Sequence, residues 1–405
     1  MSAAEVTPVA VAGEAGLPAV AAHPKKALGH ITPLDGLRGI AVILVLLFHF
    51  SWTFPEATPI AHAIKRVLWV GWVGVDLFFV LSGYLITRGL VAPSSQPVGT
   101  RLRKFWARRV LRIFPLYYIV LIVGSGVCLI ASAPLPTLPY WFYFQNYALA
   151  FDPDVLRWTA PFWSLAIEEQ FYFLWPLLAL RAPRKMLVPT TLALAAFCIV
   201  TRAGMGVDMH LLDHAGNHEA AEQIAKLAYR ATPTHMDGLL FGALLAITGG
   251  DKASWLARTW KRLRPIAFAA TILVLAVLFV VTHGFNDYDG RVIVFGYASL
   301  ALFFACAVSI AVDGALSPFF NRLLTSRPLR ACGRVSYGMY LLHWPLVVFT
   351  VPVLKRWQAG ASPLTGVALG LGVLAVGIGV TYGIAVLSFR FVETPFLRLK
   401  ERFHE

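Results

Sequence analysis

Residues 34–54 read LDGLRGIAVILVLLFHFSWTF. A helix needs about twenty mainly apolar residues to cross the hydrocarbon core of a bilayer, and this run reaches that length while keeping, beyond Asp35 at its very start, two ionisable groups deeper inside, Arg38 and His49. Such groups are expensive in hydrocarbon, so a run that retains both reads as a membrane helix with a function beyond spanning.

The rest of the chain repeats the pattern. Further apolar stretches lie near 69–89, 113–133, 163–181, 186–204, 233–249, 265–283, 291–312, 333–354 and 363–389, and together they predict an all-α, polytopic membrane bundle of about ten transmembrane helices. Residues 139–151 are apolar but short and read as an interfacial or re-entrant helix. Of 405 residues, 58% are apolar and 14% charged, with a mean hydropathy of +0.67, which excludes an ordinary soluble enzyme. The net charge of +14 would suggest nucleic acid in a soluble domain. Here basic cytoplasmic loops account for it, and no nucleic-acid partner is expected.

Those basic residues alternate from loop to loop. The second loop carries Arg101, Arg103, Lys104, Arg108, Arg109 and Arg112 with no acid, and the fourth, sixth and eighth are also basic. The third, fifth and seventh loops are slightly acidic, while the first and ninth, weakly basic, fit less well. Lys and Arg accumulate on the cytoplasmic side, so the alternation predicts an integral protein of the cell or inner membrane with both termini cytoplasmic. Residues 1–30 lack the basic start, unbroken apolar run and cleavage site of a signal peptide and read as a disordered cytoplasmic tail. Residues 31–397 form the transmembrane domain, and 398–405, with Arg398, Lys400 and Arg402, a cytoplasmic segment lying against anionic membrane lipid.

Among the titratable groups inside the apolar stretches, five places stand out: His49, Asp76, Glu168 with Glu169, Asp237 and His343. At ~1.5 Å per helical residue, His49 is roughly 22 Å along its segment, and Asp76, Glu168 and Asp237 fall within about 10 Å of the outer ends of theirs. Several of these groups are thus expected at one level of the outer half of the bilayer. Glu168 and Glu169 are about 100° apart on a helix, so one of them is expected to face the interior. On the cytoplasmic side, Arg38 precedes His49 by about three turns on the same face, ~16 Å away. Arg109 and Arg112, three residues apart beside Arg108, share a helix face, and an arginine fork matches phosphate oxygens.

Other patterns carry less. Cys128, Cys198, Cys306 and Cys332 are not spaced as a disulfide framework or zinc site. His210, His214 and His218 recur at every fourth residue, but Gly216 and the polar loop around them oppose a rigid site, so no metal is expected. Gly370, Gly372 and Ala375 sit within an apolar helix, where small residues serve close packing.

LDGLRGIAVILVLLFH (34–49), GVDLFFVLSGYLI (74–86), FWARRVLRIFPLYY (105–118), WSLAIEEQFYFLWP (163–176), MDGLLFGALLA (236–246), GRVSYGMYLLHWPL (333–346) and SFRFVETPF (388–396) occur in this order over nearly the whole chain after the tail. Together they resemble the acyltransferase-3 family of integral membrane O-acyltransferases. The resemblance implies about ten transmembrane helices and transfer of an acyl group, often acetyl, from cytoplasmic acyl-CoA to a hydroxyl of a sugar or other small acceptor. It implies an arginine, ten residues and a histidine in the first helix, matching Arg38 and His49; an arginine, two residues and an arginine before the third, matching Arg109 and Arg112; and an acidic block matching Glu168 and Glu169. Relatives often have an arginine before the Asp-Gly pair of segment six, where this chain has His235 and Met236. Some relatives carry a fused extracytoplasmic esterase-like domain, which a chain ending at Glu405 is expected to lack.

The expected mechanism has His49 as general base on the acceptor hydroxyl, with Glu168 or Asp76 orienting the imidazole, and Arg38, Arg108, Arg109 and Arg112 holding the acyl-CoA donor. A covalent acyl-histidine route would use the same residues. The alternative class is a glycan or small-molecule exporter using the buried histidine and acids as a proton relay. An exporter has no use for a phosphate-binding arginine cluster, whereas CoA requires one.

Overall fold

The computed structural model describes residues 29–55, 59–152, 156–250, 254–399 and 403. Nearly all of the expected tail therefore lies outside the described residues, as do Asp154, Asp251 and Lys252 of the loops and Lys400 and Arg402 at the C-terminal end. Every regular element among the described residues is helical.

The chain runs through α1 (Thr32–Phe50), α2 (Pro59–Trp69), α3 (Gly74–Val91), α4 (Val98–Ile130), α5 (Leu138–Trp141), α6 (Gln145–Phe151), α7 (Trp163–Arg181) and α8 (Arg184–His214). It continues through α9 (His218–Arg230), α10 (Thr232–His235), α11 (Asp237–Thr248), α12 (Trp255–Val281), α13 (Tyr297–Val312), α14 (Pro318–Leu324), α15 (Arg327–Arg334), α16 (Ser336–Gln358), α17 (Pro363–Ser388) and α18 (Thr394–Leu399). Several starts are written in the sequence. Ser254, Ser317 and Ser362 each accept a backbone N–H three residues on, capping α12, α14 and α17, and a proline follows directly in the last two.

Among the described residues, eight helical spans are long and apolar enough to cross a membrane, and the protein is an integral membrane protein. Two of the ten expected segments fall outside that set. One is α7, which carries Glu168 and Glu169. The other, expected at 233–249, is interrupted at Met236, leaving α11 with 12 residues, about 18 Å of helix. The stretch 139–151 is likewise two short helices, α5 and α6, with Tyr143 between them in the left-handed region at φ +58°.

α1 lies at the centre of the bundle, packing against α3, α13, α15, α16 and α17. The most extensive helix pair is α3 with α11. A Cβ on Gly83 would sit 1.9 Å from the Leu239 carbonyl oxygen and one on Gly242 2.1 Å from that of Val80, so only glycine permits the two backbones to approach this closely.

Candidate active site

α4 is 33 residues long, about 50 Å, more than a bilayer core requires, and its basic first turns precede the apolar stretch. Tyr337 of α16 donates to the Ile113 carbonyl at 2.7 Å and Trp106 of α4 donates to the Tyr172 carbonyl at 3.2 Å, which fixes α4 against α7 and α16. These helices, with α1 and α3, enclose a cavity of about 160 Å³ lined by Arg38, Arg109, Arg112, Glu168, Glu169, Tyr172, Ser336 and Tyr340 among others. Arg38 donates to Ser336 Oγ at 3.2 Å, and the Arg109 guanidinium lies 5.4 Å from the centres of the Phe105 and Tyr172 rings. Glu168 accepts from Ser82 Oγ at 2.6 Å, and Ser82 in turn accepts from Tyr172 at 3.0 Å.

The structure thus gathers Arg38, Arg109, Arg112 and Glu168, four of the residues singled out in the sequence. It departs from expectation in two respects. Both Glu168 and Glu169 line the cavity, because it spreads across a wide arc of α7; Glu169 Oε1 is buried there without a hydrogen-bond partner. Arg108 does not line it. Its position on α4 turns it aside, where Nη1 donates to the Phe403 carbonyl at 3.0 Å.

His49 sits at the far end of α1 and does not line the cavity either. Its Nδ1 is 3.0 Å from the Val45 carbonyl and 3.0 Å from His343 Nε2. His343 is fully buried, and its Nδ1 is 2.6 Å from the Tyr340 carbonyl. Carbonyl oxygens only accept, so both Nδ1 atoms are assigned as N–H donors. The His343 Nε2 lone pair then receives His49 Nδ1–H, and among the described residues no hydrogen-bond donor reaches the lone pair of His49 Nε2. The His49 ring packs 4.7 Å from Phe48 and 4.7 Å from Trp344. Trp52, 38% exposed, packs edge-on against Trp344.

The partner of His49 is therefore a histidine, and the expectation that Glu168 or Asp76 orients it is corrected. No hydrogen bond joins His49 to either carboxylate. Asp76 bonds His235 Nε2 at 3.1 Å, and His235 Nδ1 bonds the Tyr229 carbonyl at 2.5 Å. The helix break at Met236 is what turns His235 inward toward Asp76. Asp237 pairs with Arg202 at 2.7 Å, both fully buried, while Arg202 also donates to the carbonyls of Thr234 and Ile293. The carboxylates expected at one level with His49 thus fall into two groups, Glu168 at the arginine cavity and Asp76 with Asp237 in a separate polar core.

Tyr340 links the cavity to the histidine pair. Its backbone carbonyl holds His343, its side chain lines the cavity, and its hydroxyl bonds Ser164 Oγ at 2.6 Å and donates to the Pro161 carbonyl at 2.8 Å. Tyr340 and Ser164 were legible only as members of the quoted blocks. Arg202 had a plainer signal, a guanidinium inside an apolar stretch.

No cluster of histidine, cysteine or acidic residues able to hold a metal occurs among the described residues. Fold and site together define an integral helical membrane protein with an arginine-lined interior cavity and, further along the same helix, a histidine held by a second histidine. The chain belongs to the acyltransferase-3 family, whose acyltransferase domain matches residues 31–386. It is similar to the peptidoglycan O-acetyltransferase OatA of Listeria monocytogenes, 30% identical over 400 residues that cover 90% of this chain and 56% of that protein. It is also similar to the O-acetyltransferase OatA of Staphylococcus aureus, 28% identical over 388 residues covering 90% and 57%. The chain thus spans somewhat over half the length of these relatives. No solved structure matches it.

Proposed function

We propose that the protein is a membrane O-acyltransferase that moves an acyl group, in the simplest case acetyl, from cytoplasmic acyl-CoA to a hydroxyl of a sugar or glycolipid acceptor at the opposite side of the membrane. The observation that carries this reading is the arrangement along α1: a guanidinium cluster around Arg38 at one end and a paired imidazole ~16 Å further on. Three guanidiniums outnumber the two carboxylates beside them, which favours the phosphate end of CoA. The flexible pantetheine arm would carry the thioester past Tyr340 toward His49.

There His49 Nε2 takes the proton of the acceptor hydroxyl as its oxygen attacks the thioester carbonyl. The C–O bond forms, the C–S bond breaks, and the imidazolium returns the proton to the departing thiolate. The Val45 carbonyl fixes the His49 tautomer, and His343 shares the Nδ1 proton and supports the imidazolium through its Nε2 lone pair, the part a carboxylate plays in a Ser-His-Asp triad. The names of the relatives support a peptidoglycan-like sugar as acceptor and acetyl as the group moved. The basic loops support both termini on the cytoplasmic side.

The test is acyl transfer from labelled acetyl-CoA in proteoliposomes. His49→Ala should abolish transfer while CoA still raises the melting temperature. Transfer at the wild-type rate by that variant, or no stabilisation of the wild type by CoA, refutes the reading.

A further inference from the structure

A second cavity of about 660 Å³ lies at the His49 end of the bundle, between α2 and the loop 282–286. Its walls include His62, Lys65, Arg66, Trp69 and His283, with no acidic residue among the described residues. The first four are at i, i+3, i+4 and i+7 on α2, so one stripe of that helix faces the groove, while Ile60 and Val67 are exposed elsewhere on α2. The Arg66 guanidinium is 5.2 Å from the Phe279 ring centre, and no carboxylate among the described residues pairs with it.

The opposite wall is pinned in place. His283, Gly284 and Phe285 have φ values of 53°, 132° and 61°, and the turn is held by Trp72, which donates to the Phe285 carbonyl at 3.0 Å and stacks on its ring. The groove also touches the catalytic end of α1: Trp69 packs 5.1 Å from Phe48, which packs 4.7 Å from His49.

We infer that this groove is a subsite for a phosphate or diphosphate ester carried by the acceptor, as on a lipid-linked sugar, and that it sets an acceptor hydroxyl near His49. The inference rests on the acyltransferase reading for its purpose, but the groove can be tested by binding alone. A basic stripe on a helix at the membrane edge also suits the headgroup of an ordinary anionic phospholipid, which offers the same phosphate chemistry.

The full chain in phosphatidylcholine nanodiscs is titrated with inorganic pyrophosphate and followed by thermal unfolding. Saturable stabilisation is expected, weakened roughly tenfold or more in the double variant Arg66→Gln with His62→Gln and retained in Arg112→Gln. Retained stabilisation by CoA in the double variant shows that it is folded. Equal pyrophosphate binding by the double variant, or binding lost only in Arg112→Gln, places the anion in the other cavity and overturns the inference. So does loss of the pyrophosphate response when phosphatidylglycerol replaces part of the phosphatidylcholine, which assigns the groove to bulk lipid. Transfer activity without groove binding counts against the groove alone, and groove binding without any transfer counts against the transferase reading alone.

Discussion

At the scale of single residues, His343 carries the sharpest consequence. Its Nε2 accepts from His49 Nδ1 while its own Nδ1–H is held by the Tyr340 carbonyl, so removing it takes away the lone pair that would support an imidazolium and leaves His49 held by the Val45 carbonyl alone. His343→Ala should lower kcat about 10²-fold or more with the KM for acetyl-CoA unchanged, read from initial rates of transfer. Arg112→Ala should do the reverse, raising that KM about tenfold with kcat largely kept, because a guanidinium that holds phosphate contributes to binding of both ground and transition states. The sequence made His49 and Arg38 legible because each puts a charge or imidazole inside an apolar stretch where topology does not require one, whereas Arg109 and Arg112 lie in what reads as a loop that is basic in any case and were legible through their shared helix face, the presence of Arg38 and the family resemblance. It did not reveal which partner each would choose. Asp76 and Glu168 lie at depths compatible with His49, but depth along a helix says nothing of azimuth across the bundle, and each found a nearer partner in His235 or Ser82.

Elements obey a different logic, that of backbone approach and burial. Gly83→Ala would drive a methyl group into the Leu239 carbonyl at the α3–α11 crossing. A cost of about 1–3 kcal/mol is expected, seen as a lower melting temperature in detergent, whereas Gly89→Ala, with open space around it, should be neutral. The loop before α13 adds a pH term. Burial raises the Asp287 carboxyl to about 6, an effect partly offset by Arg230, and Asp287 Oδ1 has no hydrogen-bond partner. A raised acid binds its proton more tightly in the folded state, so stability falls as pH climbs from about 4 to 6 and the loss is complete above that window. Asp287→Asn should flatten this slope and raise stability at pH 7 by on the order of 2 kcal/mol, measured as melting temperature against pH. Most helices were legible from apolar length alone. The break at Met236 was not, since residues 233–249 are apolar enough to run straight through, and nothing in their spacing marks the point at which His235 turns toward Asp76.

For the molecule as a whole, the alternation of basic and acidic loops predicts that reporters fused to the two ends report the same, cytoplasmic, compartment. A split result would mean that α7 or α11 fails to cross. Fold class and family were legible from composition and seven ordered blocks. The pairing of His49 with His343, nearly three hundred positions apart, emerged only when the ends of the chain met. That meeting limits how the protein can move. A carrier that rocks two halves past each other must open a seam on every cycle, and a seam between α1 and α16 would separate the two imidazoles. On the acyl-transfer reading proposed above, the cargo travels instead through a bundle that stays shut around α1 and α16, with flexibility supplied by the passenger's own arm.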